Sequence, residues 1–443
     1  MAASKPKKQC TFCQRSRNEV YALVPSPAHQ DVLICNFCID DAQTAIVQKE
    51  REIASKGGDK PLPTPREIMA MLDDYVIGQG IAKKTVAAAV YRHYRRRQVW
   101  EETKGKLPNG LELEKSNILM TGPSGCGKTQ IARTIAKILD VPFYVGDATK
   151  LTQAGYVGDD VDTLLQGLLE KCSWNVDRAQ WGIIVIDEID KIARKSGGTG
   201  SAYRDVTGEG VQQALLKLVE GGEVTIAKGQ GARLMDPTQQ QTVTIDTTNI
   251  LFICMGSFDG IQRVVSQRVN KNHSVGFGGR QKRKEISDKE VYENLSEEDI
   301  LEFGIIPELA GRLPVLTGVL RLTKEEMVQI MTEPKDAIVK QEKFLYGLGD
   351  VTLDFEDEAL EAIAEAAQER KTGARAIRGI LTNLMLPYDM DVPGSDITYL
   401  KVTGAYARGE GDPVIHRAGE EYDDSEVVKA LEPQKTALQV QEG

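Results

Sequence analysis

The sequence lacks any long hydrophobic run, and no stretch approaches the length of a membrane-spanning helix. The polar segment from Met1 to Lys8 has no apolar core after it, so we expect no secretory signal and a cytoplasmic location. Positive charge is also scarce, because 55 lysines and arginines face 65 aspartates and glutamates, a net charge of −10. This balance argues against nucleic acid as the main partner, although local basic patches are compatible with it. No repeat of fixed period is visible.

What the chain does have is length and an ordinary globular composition. Its 443 residues are too many for one ordinary domain, and a chain of this size has roughly two to four. The hydrophobic content of 41% and the charged content of 27% are globular values. In a reducing compartment, the seven cysteines should be thiols or metal ligands rather than disulfides.

Four cysteines form two CxxC pairs near the N-terminus, Cys10 with Cys13 and Cys35 with Cys38. Two such pairs suit a tetrahedral Zn²⁺ ion, and four thiolates leave no open position for catalysis, so the zinc would be structural. So short a segment would take much of its folding free energy from the metal. Two redox CxxC motifs, or disulfides, are the alternatives. The absence of a βαβ pattern disfavours the first, and the reducing compartment disfavours the second.

A glycine-rich loop at residues 122–129 predicts a nucleotide site. The apolar run 118–120 precedes the loop and an amphipathic run follows it, which is the strand–loop–helix context of a phosphate-binding P-loop. Backbone amides and the helix N-terminus would surround the phosphate oxygens. Lys128 would reach the β- and γ-phosphates, and Thr129 would ligate Mg²⁺. The nucleotide-binding residues of this loop are Gly122, Pro123, Ser124, Gly125, Cys126, Gly127, Lys128, Thr129 and Gln130.

An acidic pair follows a second buried strand. The continuous apolar run 183–186 is typical of a strand covered on both faces, and it ends in Asp187 and Glu188. Beside a P-loop, this pair is a Walker B element, in which Asp187 would hold Mg²⁺ and Glu188 would orient or deprotonate the attacking water. Ser257 follows a further apolar strand. Its hydroxyl could contact the γ-phosphate or the water, and a solvated turn serine is at least as good an interpretation.

Composition divides the chain into five segments. They are a zinc-binding domain at 1–52, a linker at 53–65, a P-loop domain at 66–315 with an exposed insertion at about 262–298, a small helical domain at 316–408 and a tail at 409–443 that we expect to be disordered. Tyr156 stands between two glycines, Gly155 and Gly158, close to Val157. Such an aromatic residue either grips a ligand or is buried near a turn, and the segment itself does not decide between the two.

Together, the motifs resemble the ClpX family, the hexameric AAA+ unfoldases that feed the ClpP peptidase. The resemblance runs from Cys10 to about Tyr406. It depends on the combination of the zinc module, the P-loop and the segments 74–79, 155–158, 187–192, 210–216, 307–314 and 371–378. It implies an α/β fold: an AAA+ P-loop module with a parallel sheet between helices, a small helical C-terminal domain and a treble-clef-like four-cysteine zinc domain. The implied cofactors are ATP, Mg²⁺ and structural Zn²⁺.

The resemblance also assigns roles that the residues alone do not. Val76 and Ile77 would border the adenine. Arg312 would be an arginine finger in the neighbouring subunit's site, and Arg375 would be a sensor for the nucleotide bound by its own subunit. An arginine supplied across an interface makes hydrolysis depend on assembly, and a ring is the natural closure of such a head-to-tail contact.

The resemblance assigns three segments to substrate handling and peptidase docking by the ring. Tyr156 and Val157 would line the central pore, which favours the gripping role for this tyrosine, and Arg204 would lie in a second pore loop. Val275, Gly276 and Phe277 match the family's peptidase-docking tripeptide, with Val in place of the usual Ile or Leu. The family's Arg-Lys-His loop at the pore entrance is reduced to one recognisable arginine within 230–236, so tag preference stays open.

The favoured function is therefore ATP-dependent unfolding and translocation of protein substrates for delivery to ClpP. The expected partners are five further copies of the chain, ClpP, protein substrates and adaptors, without nucleic acid or membrane. A protease-independent remodeller of complexes shares every catalytic residue and is the main alternative. A nucleic-acid motor is disfavoured by the acidic balance, and a small-molecule kinase gives no reason for Arg312, the pore loops or the zinc module. A non-enzymatic scaffold is disfavoured by the intact Lys128, Asp187 and Glu188.

Overall fold

The computed structural model divides into two compact units, one up to Leu62 and the other from Pro63 onward. The structure describes residues 9–26, 29, 32–42, 62–103, 106–107, 111, 113–152, 159–194, 206–227, 242–273, 286–370 and 372–420. None of the helices within these ranges is both long and apolar enough to cross a bilayer.

The first unit is built on a short antiparallel hairpin. Strand β1 (Leu23–Pro25) pairs with β2 (Leu33–Cys35), and Leu23 lies opposite Cys35. Residues 36–42 continue directly as a helix. The hairpin and the turns around it bury Cys10 and Cys35 completely, although so small a unit has little other core.

A five-stranded parallel sheet forms the centre of the second unit. Its strand order is β11-β3-β10-β7-β4. The strands are β3 (Ile118–Thr121), β4 (Phe143–Asp147), β7 (Ile183–Asp187), β10 (Leu251–Gly256) and β11 (Val315–Gly318). The central strands read as continuous apolar runs because helices cover both faces of a parallel sheet. All strands point the same way, so the loops that follow β3 and β7 meet at one edge.

Helices and short strands surround this sheet. The helices are Pro65–Asp73, Gly80–Thr103, Lys128–Leu139, Thr163–Lys171, Val176–Ala179, Val206–Glu220, Ile261–His273, Asp288–Glu293, Glu297–Phe303 and Pro307–Gly311. Two 3-10 helices span Ala148–Lys150 and Ile189–Ile192. Strands β5 (Leu151–Thr152) and β6 (Asp159–Asp160) pair in parallel, and β8 (Glu223–Ala227) and β9 (Thr242–Asp246) form an antiparallel hairpin. The Pro65 helix begins with a capping box between Thr64 and Glu67.

The C-terminal part combines five helices with a small sheet. The helices are Lys324–Thr332, Ile338–Gly347, Asp357–Glu369 and Arg375–Asp391, followed by a short one at Gly404–Arg408. Strands β12 (Thr352–Phe355), β13 (Ile397–Val402) and β14 (Val414–Arg417) form the sheet, with β14 antiparallel to β13.

Strand β14 corrects the predicted start of the tail. The composition after Gly409 is polar and acidic, which predicted a disordered tail from that residue. Instead, Val414 lies opposite Lys401 and Ile415 opposite Leu400, so residues 409–420 belong to the folded part. An edge strand with one exposed face needs few apolar side chains, which is why composition missed it. Residues 421–443 lie outside the described ranges.

The predicted exposed insertion at 262–298 is also wrong for much of its length. Val265 and Val291 on the Ile261 and Asp288 helices are buried in the main hydrophobic core, together with Tyr292. The segment read as polar because the outward faces of these helices carry many charges. Residues 274–285, which include the glycine-rich stretch, lie outside the described ranges.

Candidate nucleotide site and metal centre

Three glycines of the P-loop adopt backbone angles that other residues rarely reach. The φ angles of Gly122, Gly125 and Gly127 are 133°, 73° and 97°. A Cβ atom on Gly125 would lie 2.0 Å from the Thr372 carbonyl oxygen. The loop therefore requires glycine for its turn and for its close contact with the C-terminal part, which the Ala374 N–H strengthens by donating to the Gly125 carbonyl oxygen at 3.1 Å.

Lys128 begins the helix that follows this loop. The N-cap is Gly127, which has no side chain to cap the first turn, so the turn's amides face the loop. The Lys128 Nζ atom donates to the carbonyl oxygens of Gly122 and Pro123, at 2.5 and 2.9 Å. Burial lowers the pKa of Lys128, and the negative charge of Asp187 opposes that shift. The P-loop ammonium thus lies inside the curve of the loop, where phosphate oxygens would bind.

Asp187 and Glu188 end the strand as predicted. Asp187 is the last residue of β7 and lines the same cavity as Lys128 and Thr129. The Asp187 carboxylate and the Thr129 hydroxyl supply oxygen ligands of the kind that Mg²⁺ prefers. Glu188 is exposed and has a φ of 58°, which is unusual for a residue other than glycine. Its N–H donates to Asp187 Oδ1 at 2.9 Å. The turn therefore directs the two carboxylates differently, with Asp187 at the cavity and Glu188 in solvent beside it.

Ser257 belongs to a different contact from the one the sequence suggested. Its hydroxyl donates to Asp190 Oδ2 at 2.9 Å, and its N–H donates to Asp190 Oδ1 at 3.1 Å. The hydroxyl is also 3.2 Å from Asp259 Oδ2. Ser257 therefore connects the end of β10 to the 3-10 helix behind Asp187, and it does not line the cavity.

A cavity of about 640 Å³ lies between the P-loop and the C-terminal helices. Its volume suits a nucleoside triphosphate, since ligand pockets commonly measure ~300–1,000 Å³. Val76 and Ile77, to which the resemblance assigns the adenine, line it. Ala374 and Ile377 of the segment 371–378 add to its apolar wall, and four further residues were not predicted from the sequence: Leu322, Ile330, Pro334 and Ile338. No motif marks these four. Ile330 and Ile338 lie on helices, where a residue that faces a ligand looks like one that faces a core, and Leu322 and Pro334 lie in the connections that precede the two helices.

Arg375 lies at this cavity, whereas Arg312 does not. Arg375 is the first residue of its helix, and its Nη1 atom is 3.4 Å from the Ser124 hydroxyl oxygen in the P-loop. Arg312 instead forms an ion pair with Glu220, with Nη2 at 3.0 Å and Nε at 3.1 Å from Oε1. Its carbonyl oxygen accepts from the side-chain amide of Asn117, the residue before β3, at 3.0 Å. Arg312 therefore lies at the amino ends of the strands, away from the P-loop.

The four N-terminal cysteines converge on one point. Their Sγ atoms all lie within 4.8 Å of one another, with Cys10 and Cys38 at 3.8 Å and Cys13 and Cys35 at 3.5 Å. A tetrahedral Zn²⁺ with Zn–S bonds of about 2.3 Å holds its sulfurs roughly 3.8 Å apart, so the cluster fits the ion. All seven cysteines are free, which excludes the disulfide alternative.

We expect Cys35→Ser to remove bound zinc and unfold the first unit while sparing ATP hydrolysis. The site would lose one of its four thiolates, and so small a unit depends on its metal for folding. The second unit has its own core and should be unaffected. Zinc content, proteolysis of residues 9–42 and ATPase rate measure the three effects. Cys172→Ser, a buried thiol outside the cluster, is the matched control and should keep its zinc. A loss of ATPase confined to Cys35→Ser would contradict the independence of the two units.

The predicted pore and docking residues belong to other parts of the chain. Tyr156, Val157, Arg204 and the docking tripeptide 275–277 all lie outside the described residues, as does the loop 230–236.

Known families match the chain in three separate segments. A ClpX C4-type zinc finger matches residues 8–48, an AAA domain of the Cdc48 subfamily matches 113–316, and the C-terminal D2-small domain of ClpB protein matches 322–388. The zinc-finger match and the four-sulfur cluster identify structural Zn²⁺ as one cofactor, and the AAA domain, an ATPase, implies ATP with Mg²⁺.

Three relatives are similar to this chain over nearly their full length. The ATP-dependent Clp protease ATP-binding subunit ClpX of Bacteroides thetaiotaomicron is 44% identical over 413 residues, which cover 92% of this chain and 97% of that protein. Subunits of the same name from two strains of Bacteroides fragilis are each 43% identical over 414 residues, with the same coverage. At this identity and coverage, the chain belongs to the ClpX family.

Proposed function

We propose that this chain is an ATP-driven protein unfoldase and translocase that delivers its substrates to a ClpP peptidase. The observation that carries the proposal is the division of the nucleotide site. The cavity takes its walls from the P-loop and the C-terminal helices, while Arg312 points away from it at the opposite edge of the sheet. Such a division suits a ring in which each subunit completes the site of its neighbour.

Within one subunit, we assign the catalytic roles by position. Lys128 neutralises the β- and γ-phosphates, and Thr129 and Asp187 hold Mg²⁺. Glu188 orients or deprotonates the attacking water. Arg375 reports the nucleotide to the C-terminal part, because its Nη1 atom lies 3.4 Å from the Ser124 hydroxyl oxygen of the P-loop. A cation at that point would draw the C-terminal helices towards the phosphates.

Arg312 acts across a subunit interface in this proposal. Its carbonyl group bonds Asn117 at the start of β3, whereas the P-loop follows the end of that strand. Four strand residues span about 13 Å, so the guanidinium cannot reach its own γ-phosphate without large rearrangement. Half of its side-chain surface is exposed, which leaves it available to a neighbour. Six subunits, the family's number, would close the ring.

The two pore segments adjoin described elements that support their assignment. Leu151 pairs with Asp159 in parallel strands, so the ends of the segment with Tyr156 and Val157 lie side by side. The segment with Arg204 leads directly into the Val206 helix. The described residues beside both segments belong to the same unit as Asp187, through which hydrolysis would act on the segments.

We expect Tyr156→Ala to spare ATPase activity while impairing the unfolding of a folded, tagged substrate at least several-fold. The aromatic ring would supply the surface that pushes on the polypeptide, and a methyl group cannot replace it. Tyr156→Phe keeps the ring and is the control. Fluorescence loss from a tagged stable reporter measures unfolding. Equal rates for Tyr156→Ala and the unchanged protein would remove this residue from the pore.

Degradation of the tagged protein with and without ClpP tests the delivery step. We expect degradation only when both partners and ATP are present, and we expect it to fail after Phe277→Ala, with unfolding preserved. Val275, Gly276 and Phe277 would dock as several weak contacts around the ring that add by avidity. Unfolding without degradation in the unchanged protein would instead favour the protease-independent remodeller.

A further inference from the structure

The helix Val206–Glu220 carries a buried polar residue that the proposed mechanism leaves unexplained. Gln212 lies within the segment 210–216 that resembles the family, and its side chain has no solvent exposure. A buried amide is costly unless its polar atoms are bonded, and an apolar residue of similar size would fill the same space. The contacts of Gln212 therefore indicate what the amide does.

The side-chain amide joins two backbone segments outside its own helix. Its Nε2 atom donates to the Ile192 carbonyl oxygen at 2.7 Å and to the Gly304 carbonyl oxygen at 3.4 Å. Its Oε1 atom accepts from the Ile306 N–H at 2.8 Å. Both the donor and the acceptor atoms of the amide are therefore bonded, and the two shorter bonds go to Ile192 and to Ile306. Gln212 thus fixes the distance between the segment at Ile192 and the segment at Ile306.

Each of these segments leads to a residue of the proposed catalytic machinery. Ile192 ends the 3-10 helix that starts directly after Glu188. Ile306 is the N-cap of the short helix Pro307–Gly311, whose C-cap is Arg312. The Gln212 side chain therefore bonds two elements: the 3-10 helix that follows Glu188 and the short helix that precedes Arg312.

The packing at this junction leaves little room for movement. A Cβ atom on Gly304 would lie 2.2 Å from the Arg194 carbonyl oxygen, and Gly304 has a φ of 121°. The Arg194 N–H donates to the Gly304 carbonyl oxygen at 2.8 Å. A Cβ atom on Gly208, one turn before Gln212, would lie 2.8 Å from the Ile192 carbonyl oxygen. The helix, the 3-10 helix and the Gly304 turn are thus in direct backbone contact.

The same helix holds Arg312 at a second point. Its last residue, Glu220, pairs with the Arg312 guanidinium at 3.0 Å. Gln212 and Glu220 are eight residues apart, which is about 12 Å along a helix. The helix therefore bonds both ends of the Pro307–Gly311 element: its N-cap through Gln212 and its C-cap residue through Glu220.

We propose that Gln212 is a positioning residue for hydrolysis: it holds the Pro307–Gly311 element so that Arg312 meets the γ-phosphate of the neighbouring subunit. This inference rests on the proposed action of Arg312 across the interface. Without the amide, the element would lose its bond at Ile306 and the guanidinium would shift with it. A misplacement of about 1 Å at a reacting centre can cost on the order of 100-fold in rate.

Mixed rings test this role by separating the two sides of each interface. Donor subunits carry Lys128→Ala, so they cannot use their own site but still present Arg312. Acceptor subunits carry Arg312→Ala, so they keep their P-loop but need a neighbour's arginine. Hydrolysis then occurs only where a donor faces an acceptor, and Gln212→Met is introduced on one side at a time.

We expect Gln212→Met in the donor to lower kcat about 10- to 100-fold with an unchanged KM for ATP. The same change in the acceptor should lower kcat much less. Gln213→Met is the matched control, because Gln213 is exposed on the next position of the same helix. A merely structural defect would lower assembly or affect both sides alike, whereas a positioning role follows the subunit that supplies Arg312.

An equal or larger loss on the acceptor side, or no loss on either side, would overturn the proposal for Gln212 while leaving Arg312 intact. If rings without any change at Gln212 fail to hydrolyse ATP, the trans role of Arg312 fails and the inference falls with it. Should Gln212→Met prevent assembly, Gln212→Asn keeps a polar amide that is one methylene too short, and the donor–acceptor comparison decides in the same way.

Discussion

Glu188→Gln should bind ATP normally and hydrolyse it about 10²- to 10⁴-fold more slowly, the range over which a positioned general base contributes. The amide keeps the size of the carboxylate but cannot accept the proton of the attacking water. Asp187 and Lys128 stay in place, so the nucleotide and Mg²⁺ should still bind. Binding of a fluorescent ATP analogue and single-turnover phosphate release measure the two properties separately.

The position of Glu188 allows this substitution to change the reaction without changing the fold. Glu188 is exposed and its side chain supports no core contact, so the fold should tolerate the change. Its φ of 58° places a strained residue directly after the strand that ends in Asp187, which is where functional residues concentrate. Glu170→Gln, on an exposed position of the Thr163–Lys171 helix, is the matched control. Normal turnover by Glu188→Gln would remove it from the reaction.

Arg312→Ala should reduce ATP hydrolysis by about 10³- to 10⁵-fold in a ring of identical subunits, as expected for loss of an arginine finger. ATP binding should persist, because the cavity that holds the nucleotide does not include Arg312. The fold should also persist, since the ion pair with Glu220 is solvent-exposed and such pairs stabilise little.

Mixing distinguishes an arginine that acts in trans from one that acts in its own subunit. Arg312→Ala and Lys128→Ala subunits are each inactive alone, yet their mixture should regain hydrolysis at interfaces that combine an intact lysine with an intact arginine. Arg178→Ala, on an exposed helix position, is the control and should be active without mixing. A mixture as inactive as its components would contradict a shared site.

Contiguous motifs could be predicted from the sequence with good accuracy. The P-loop, the acidic pair after β7 and the four cysteines each combine a chemical requirement with a fixed spacing, so the local pattern suffices. The Lys324–Thr332 helix begins with a capping box between Thr323 and Glu326, and the Asp357–Glu369 helix buries one apolar face. Both are local signals that lie within a short stretch of sequence.

Composition failed where the two faces of an element differ. The segment 262–298 contains many charges, so its average predicted an exposed insertion, yet Val265 and Val291 are buried. Strand β14 was assigned to the tail for the same reason. An average over a segment cannot distinguish a solvated loop from an amphipathic element that covers a core.

By itself, the sequence determined the chemistry of the two centres: four thiolates for zinc, and a lysine, a hydroxyl and two carboxylates for a triphosphate with Mg²⁺. Only the tertiary structure decided where the remaining contributors lie. Ile330 and Ile338 join the nucleotide wall, Arg312 lies at the far edge of the sheet, and Gln212 bonds Ile192 to Ile306. The reason is physical. A motif contains residues that are neighbours in the sequence and act on one ligand. These contacts instead join segments that can be more than a hundred residues apart, and such segments come together only when the core packs.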